Sequence, residues 1–236
     1  MAAQKLHDVQ FPNESRDYRE ARNELLLAEQ DLRRQIERVA GRRRALPLGG
    51  EVPHDYAFDE VGALSGSGPR TGHSTKLSGL FGDKQTLIAY SYMYGPAMEE
   101  PCPMCSSMLD ALDGQVQHIT QRASVAVIAK SPAERIGVFA RERGWSRLRL
   151  LSSANNRYNA DYRGEDSSGY QRPALNVFAR RDGKVFHTYC TELMFLPGDS
   201  GQDPRHIDMI WPLWNALDLT PEGRSADWRP KLNYRG

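Results

Sequence analysis

Two cysteines held apart by Pro103 and Met104 stand between a short apolar run and a longer helix-spaced one, and this juxtaposition limits the possible folds more than any other feature. Thr86-Leu-Ile-Ala-Tyr-Ser91 is rich in strand formers, Met93 to Met98 reads as a loop, and the cysteines follow. Beyond them Met108, Leu109, Leu112, Val116 and Ile119 recur at helical spacing. Residues 124–129 predict a second buried strand. Pro132 opens a further helix that turns Ile136, Phe139 and Ala140 inward and ends near Gly144. A strand-helix-strand-helix order makes the first two strands parallel neighbours joined by a right-handed crossover. Arg147 to Leu151 adds a strand candidate, and a loop rich in Asn, Tyr, Asp and Gly runs to Pro173. Ala174–Ala179 and Lys184–Tyr189 then form a hairpin about Asp182-Gly183. Ile207, Ile210, Trp211, Trp214 and Leu217 mark a last amphipathic helix, opened or kinked by Pro212.

Upstream, Ala21, Leu25, Ala28, Leu32, Ile36 and Val39 lie on one stripe of a helix from about Ser15 to Arg44, capped by Ser15. Six arginines, Arg33, Arg34, Arg38, Arg42, Arg43 and Arg44, gather toward its C-terminal end, where cations suit the helix dipole. Leu46 to Gly50 stops the helix, and Ser65 to Pro69 is a second flexible stretch. The division that follows is a helical extension over 1–50, a connector over 51–79, one α/β domain over 80–220 and a tail over 221–236. The helix's apolar stripe is expected to pack on that domain or on a second copy of the chain.

Charge and hydropathy exclude several functions. The 236 residues carry 31 Lys and Arg against 30 Asp and Glu, so no global field gathers nucleic acid or an anionic membrane. No apolar run near the N-terminus resembles a signal peptide and none approaches a membrane span, which predicts a cytoplasmic protein. Three cysteines are too few for a disulfide framework, and in a reducing compartment a Cys-x-x-Cys pair is catalytic or metal-binding.

The local chemistry favours catalysis. With Pro103 at the first helical position, Cys102 caps the helix and Cys105 lies one turn inward. Unpaired backbone N–H groups and the positive helix end then lower the Cys102 pKa and supply thiolate near neutral pH. Cys105, further into the helix, is placed to resolve a mixed disulfide. Glu99 and Glu100, just upstream, would oppose the thiolate if close.

The chain resembles thioredoxin-like proteins, in particular the branch described as predicted dithiol-disulfide oxidoreductases. The likeness rests on Phe11-Pro-Asn-Glu-Ser15, Leu46-Pro-Leu-Gly-Gly-Glu-Val-Pro53, Leu80-Phe-Gly-Asp83, Cys102-Pro-Met-Cys105, His187-Thr-Tyr189 and Asp218-Leu-Thr-Pro221 with Gly223-Arg224. It implies a thioredoxin-like three-layer sandwich, a central mixed sheet with helices on both faces, carrying the N-terminal helical extension. It also implies that Cys102 and Cys105 are the redox pair and that Pro173 is the cis-proline beside them. Pro103, Arg172 and Pro173 would then line a substrate groove, with the backbone of Arg172 open to an extended substrate and its charge opposing that of the two glutamates. Expected partners are a disulfide- or thiol-containing protein or small molecule, with no nucleic acid or membrane, no metal or organic cofactor, and a homodimer as an option.

Three other readings compete. Leu148-Arg-Leu-Leu-Ser-Ser153 resembles a stretch of peroxiredoxins, but Glu99 stands where their peroxidatic signature needs threonine. A zinc site of Cys102, Cys105, His187 and Cys190 would need His187 and Cys190, three apart in a strand, to converge. A binding, scaffold or redox-sensing protein would carry the same pair without turnover. The polar and aromatic loop from Asn155 to Tyr162 reads equally as a cleft lining and as a hydrogen-bonded loop.

Overall fold

In a computed structural model, which describes residues 6–64, 72–201, 205–225 and 227–234, the chain divides into two units, residues 1–47 and 48–236. The first is one helix, α1 (Arg16–Arg44), with the Ser15 hydroxyl accepting the Tyr18 N–H at 3.1 Å and three arginines in its last turn. Ala21, Leu25, Ala28, Leu32, Ile36 and Val39 share one face of it. Helical periodicity reports which residues share a face; it does not report what meets that face.

The second unit is built on a mixed sheet that has seven strands among the described residues: β1 (Ala57–Glu60), β2 (Ser74–Lys76), β3 (Thr86–Tyr92), β4 (Ser124–Ala129), β5 (Leu150–Ser152), β6 (Ala174–Arg181) and β7 (Lys184–Cys190). Their spatial order is β2-β1-β5-β4-β3-β6-β7. β3 and β4 pair in parallel, as do β4 and β5, whereas β6 runs antiparallel to β3 and to β7. The turn between β6 and β7 places Asp182 and Gly183 at positive φ, 51° and 77°, as a tight hairpin requires. This strand order and polarity make the unit thioredoxin-like.

Both crossovers step the same way across the sheet, so right-handed connections put α2 (Pro103–Ile119) and α3 (Ala133–Arg143) on one face. There Tyr90, Tyr92, Leu109, Ile136, Ala140 and Leu150 form one core with Trp214 of α5 (Pro212–Leu217) and with Trp211, its N-cap. On the opposite face, Phe58, Phe81, Leu87, Ala89, Tyr158 and Phe178 form a second core under short helical turns at Leu77–Phe81 and at α4 (Tyr158–Asp161). Alternation along β3 explains the division, since Tyr90 and Tyr92 face one way and Leu87 and Ala89 the other.

Residues 51–79, expected to be a connector, supply β1 and β2 to the sheet edge; at four and three residues these strands are too short for a hydrophobic period to announce them. The Ser65 to Pro69 stretch lies outside the described residues. Ahead of β1, the Gly49 backbone lies against the His187 carbonyl, where any side chain would clash. Hydrogen bonds from the His187 N–H to the Gly50 carbonyl (2.9 Å) and from the Val52 N–H to the Val185 carbonyl (2.8 Å) cover the outer edge of β7. At the other end, Arg224 binds the Asp218 carboxylate at 2.7 Å, and this pairing holds the Asp218 carboxyl down at about 2. Among the described residues, no helix is long and apolar enough to cross a membrane.

One buried carboxylate ties α2 to the approach to β5. Asp113 Oδ1 accepts the backbone N–H groups of Ser146, Arg147 and Leu148 at 3.1, 2.8 and 3.0 Å. Asp113→Ala strands three donors and should cost about 2–3 kcal/mol in urea unfolding, whereas Asp113→Asn keeps an acceptor and should lose less. An alanine variant as stable as the wild type would show that water replaces these bonds freely.

Candidate active site

Cys102 is the N-cap of α2, with Pro103 at the first helical position and exposed. The Cys102 N–H donates to the Met93 carbonyl at 3.0 Å, which fixes the cysteine just beyond the end of β3. Its carbonyl accepts both the N–H (3.0 Å) and the hydroxyl (2.9 Å) of Ser106, and that hydroxyl also meets Tyr92 Oη at 2.7 Å. The Trp211 indole N–H reaches Ser107 Oγ at 3.4 Å and so ties α5 to the same turn. The first turn of α2 is therefore held by β3 beneath it and by α5 beside it.

Both thiols are free, Cys102 half-buried and Cys105 buried. The Cys105 N–H points at Cys102 Sγ, 3.5 Å away. The Cys102 thiol is lowered to about 6, first by the hydrogen bond from the Cys105 thiol, then by the backbone N–H groups of Cys105 and Met104, with burial opposing. Cys105 moves the other way, well above an ordinary thiol, because it serves as donor to Cys102, is buried and faces the charge on its partner. Neither Glu99 nor Glu100 contributes to the Cys102 shift. One sulfur is an available thiolate at neutral pH and the other is kept as a thiol.

Tyr90, absent from the residues singled out by sequence, belongs to this site. It is 3% exposed, and its hydroxyl is within hydrogen-bonding reach of the Cys105 sulfur. Strand parity was the available signal: Tyr90 shares a face of β3 with Tyr92, the face on which α2 packs.

The expected groove is not formed as supposed. Every peptide bond among the described residues is trans, so Pro173 is not a cis-proline. The segment ahead of it is pinned in extended form by a bridge between Glu165 and Gln171, the conformation a residue before proline prefers in any case. The Arg172 N–H, expected to be open to substrate, donates to the Gly164 carbonyl at 2.9 Å. The Arg172 guanidinium binds Asp166 at 3.1 Å and lies over Tyr170, and it exerts no pull on the Cys102 thiol. Glu99 is exposed, its side chain making no bond to Cys102.

His187 and Cys190 lie across the sheet from the pair. His187 stacks on Phe178 and Tyr162, each at 5.2 Å between ring centroids, and its Nε2 meets Asn176 Oδ1 at 2.9 Å. A bulge between Val177 and Phe178 inserts Thr188 as an extra residue in β7, which changes the phase and brings His187 and Cys190 to one side after all. They line a hollow of about 430 Å³ with Tyr162 and Asn176. That side carries Phe178, whereas Cys105 packs in the core of the other face, so the four residues proposed as zinc ligands do not converge. Among the described residues no three His, Cys, Asp or Glu side chains are grouped to hold a metal ion. The polar loop also serves this far face. Asn159 is buried between Ser153 (2.8 Å) and Gln171 (3.3 Å), and Asn156 bonds the Ala57 carbonyl, which makes it a hydrogen-bonded loop.

The sheet, the helix that starts at Cys102 and the unequal thiols define a thioredoxin-fold protein with a dithiol pair at a helix N-terminus. Residues 8–235 match the family described as bacterial protein of unknown function (DUF899), and the chain belongs to it. No functionally curated protein matches it in sequence. Among solved structures, similar ones include the reduced 2-Cys peroxiredoxin of Plasmodium vivax (16% identity, 72% of this chain and 96% of that one, TM-score 0.47). Thioredoxin peroxidase I of Plasmodium yoelii (18%, 78% and 100%, 0.46) and peroxidoxin BcpB of Mycobacterium tuberculosis (19%, 73% and 98%, 0.45) are others.

The pH dependence follows from the lowered thiol. The rate of alkylation of reduced protein by iodoacetamide should rise with pH about a midpoint near 6. Cys105→Ala removes the largest lowering influence and should move the midpoint upward. Because the folded pKa lies below the unfolded value of about 8.5, the thiolate's contribution to the stability of the reduced protein is complete above that value and disappears as pH falls through about 6. A midpoint near 8.5 in the wild type would remove this description of the site.

Proposed function

We propose that the protein is a thiol-disulfide oxidoreductase in which Cys102 attacks and Cys105 resolves. The observation that supports this reading best is the inequality of the pair, a lowered and partly open Cys102 against a raised and buried Cys105. In the reducing direction, the Cys102 thiolate attacks one sulfur of a substrate disulfide. A Cys102–substrate bond forms and the other substrate sulfur leaves as a thiolate. Cys105 then gives up its proton and attacks Cys102 Sγ, which closes the Cys102–Cys105 disulfide and releases the second substrate thiolate. Two electrons pass from the protein dithiol to the substrate; the Cys105 proton goes to one released thiolate, and solvent protonates the other, returning the proton that Cys102 lost on ionising. The fixed first turn of α2 supports this sequence because it keeps the Cys105 thiol within hydrogen-bonding reach of Cys102 Sγ.

The roles are separable by trapping. Cys105→Ser should accumulate a mixed disulfide with a thiol-containing substrate, seen by non-reducing gel and mass spectrometry, and Cys102→Ser should not. Accumulation on the Cys102→Ser variant would reverse the assignment. Accumulation on neither, with no internal disulfide in the oxidised wild type, would favour a sensor or scaffold without turnover.

A further inference from the structure

Resolution is the harder half of the exchange. Cys105 is 4% exposed, and burial holds its thiol in the protonated form. In the reduced protein that thiol donates to the Cys102 sulfur. Once Cys102 carries the substrate sulfur its charge is gone, and Cys105 must itself develop negative charge in a low-dielectric interior, which is costly unless hydrogen-bond donors meet it.

Two donors are placed where this charge appears. The Tyr90 hydroxyl and the Met93 N–H both lie within hydrogen-bonding reach of Cys105 Sγ. Tyr90 stands in β3, which pairs with β4 at Val127 on one side and with β6 at Leu175 on the other, so ladders on both edges fix its backbone. Its ring is buried in the core that also holds Cys105, Met108 and Leu109. Burial keeps the phenol protonated well above its ordinary range, so it remains a donor at any pH where Cys105 works. Met93 follows directly after the strand, and its carbonyl holds the Cys102 N–H at 3.0 Å. Tyr92, on the same face of β3, is committed elsewhere, with its hydroxyl 2.7 Å from Ser106 Oγ. Of the two tyrosines that β3 turns toward α2, Tyr90 is the one whose hydroxyl meets a sulfur.

We propose that Tyr90 is a catalytic residue of the resolving step, its hydroxyl donating to the Cys105 sulfur as that sulfur becomes a thiolate. The inference rests on the thiol-disulfide reading above and adds the group that makes a buried thiol usable. The phenol keeps its proton throughout, and the Cys105 proton leaves to a released thiolate. Because the donor is fixed before the charge forms, it stabilises the transition state without reorganising. The same sulfur is the leaving group when an external thiol opens the Cys102–Cys105 disulfide by attack at Cys102. One hydroxyl therefore speeds closure and opening alike.

The test mixes reduced full-length protein, in excess, with 5,5′-dithiobis(2-nitrobenzoate) at neutral pH in stopped flow. Attack by Cys102 releases one yellow thiolate in a phase that depends on concentration, and resolution by Cys105 releases the second in a phase that does not. Tyr90→Phe should slow the second phase by about tenfold or more, the loss of a hydrogen bond to a charged group, and alter the first by less than about threefold. Opening of the preformed internal disulfide by dithiothreitol should slow by the same factor as closure, a matched loss that a loosened core would not produce. 3-Fluorotyrosine placed at position 90 alone keeps the donor and strengthens it, so resolution should equal or exceed that of the wild type; this variant carries the test if Tyr90→Phe fails to fold. A second phase in Tyr90→Phe within about threefold of the wild type, equal slowing of both phases, or a fluorinated variant that resolves more slowly than the wild type would overturn the role of Tyr90 and leave the thiol-disulfide reading intact. A wild-type protein that releases no second thiolate would overturn that reading itself.

Discussion

The hydrogen bond from the Cys105 N–H to the Cys102 sulfur puts a thiol where a helix N-terminus most favours negative charge. It requires Pro103 at the first helical position and Cys105 at the third, and it requires the turn to stay in place as the sulfur ionises. The second condition is met from outside the helix. Met93 holds the Cys102 N–H, Ser106 holds its carbonyl, and Tyr92 and Trp211 fix the adjoining serines. The pair of thiols titrates unequally through bonds made inside the motif, from the Cys105 thiol and the Cys105 and Met104 N–H groups, and packing by β3 and α5 holds that turn in place.

The sheet divides the molecule's polar chemistry. One face carries the redox turn and Tyr90; the other carries His187, Cys190 and the buried Asn159 and Gln171 network. This separation is the physical reason that Cys190 stands apart from the pair, and burial raises its thiol so that it is the less reactive at neutral pH. A chain with three cysteines thus presents one chemically distinct thiolate.

Much of this was legible in sequence, and the failures have definite causes. The strand at 124–129, the start of α2 at Pro103 and the Asp182-Gly183 turn follow from local rules, since periodicity, proline placement and positive φ act within a few residues. β1 and β2 escaped because strands so short draw their stability from neighbours. The cis form that the family resemblance implies at Pro173 is absent because cis geometry depends on tertiary surroundings, here the pinned Gln171-Arg172 backbone. Tyr90 escaped because its role depends on Cys105 lying across from it, a contact between strand and helix that spacing alone does not state.

The central claim is that Cys102 and Cys105 form one reversible two-electron couple. Equilibrating the protein in glutathione redox buffers, quenching with acid and locating the disulfide by mass spectrometry tests it directly. The account predicts a single Cys102–Cys105 disulfide that appears and disappears with the buffer, following the slope of about 30 mV per tenfold change expected for two electrons, while Cys190 remains a thiol. A protein that stays reduced across the whole range, or whose oxidised form joins Cys190 to either partner, would contradict it.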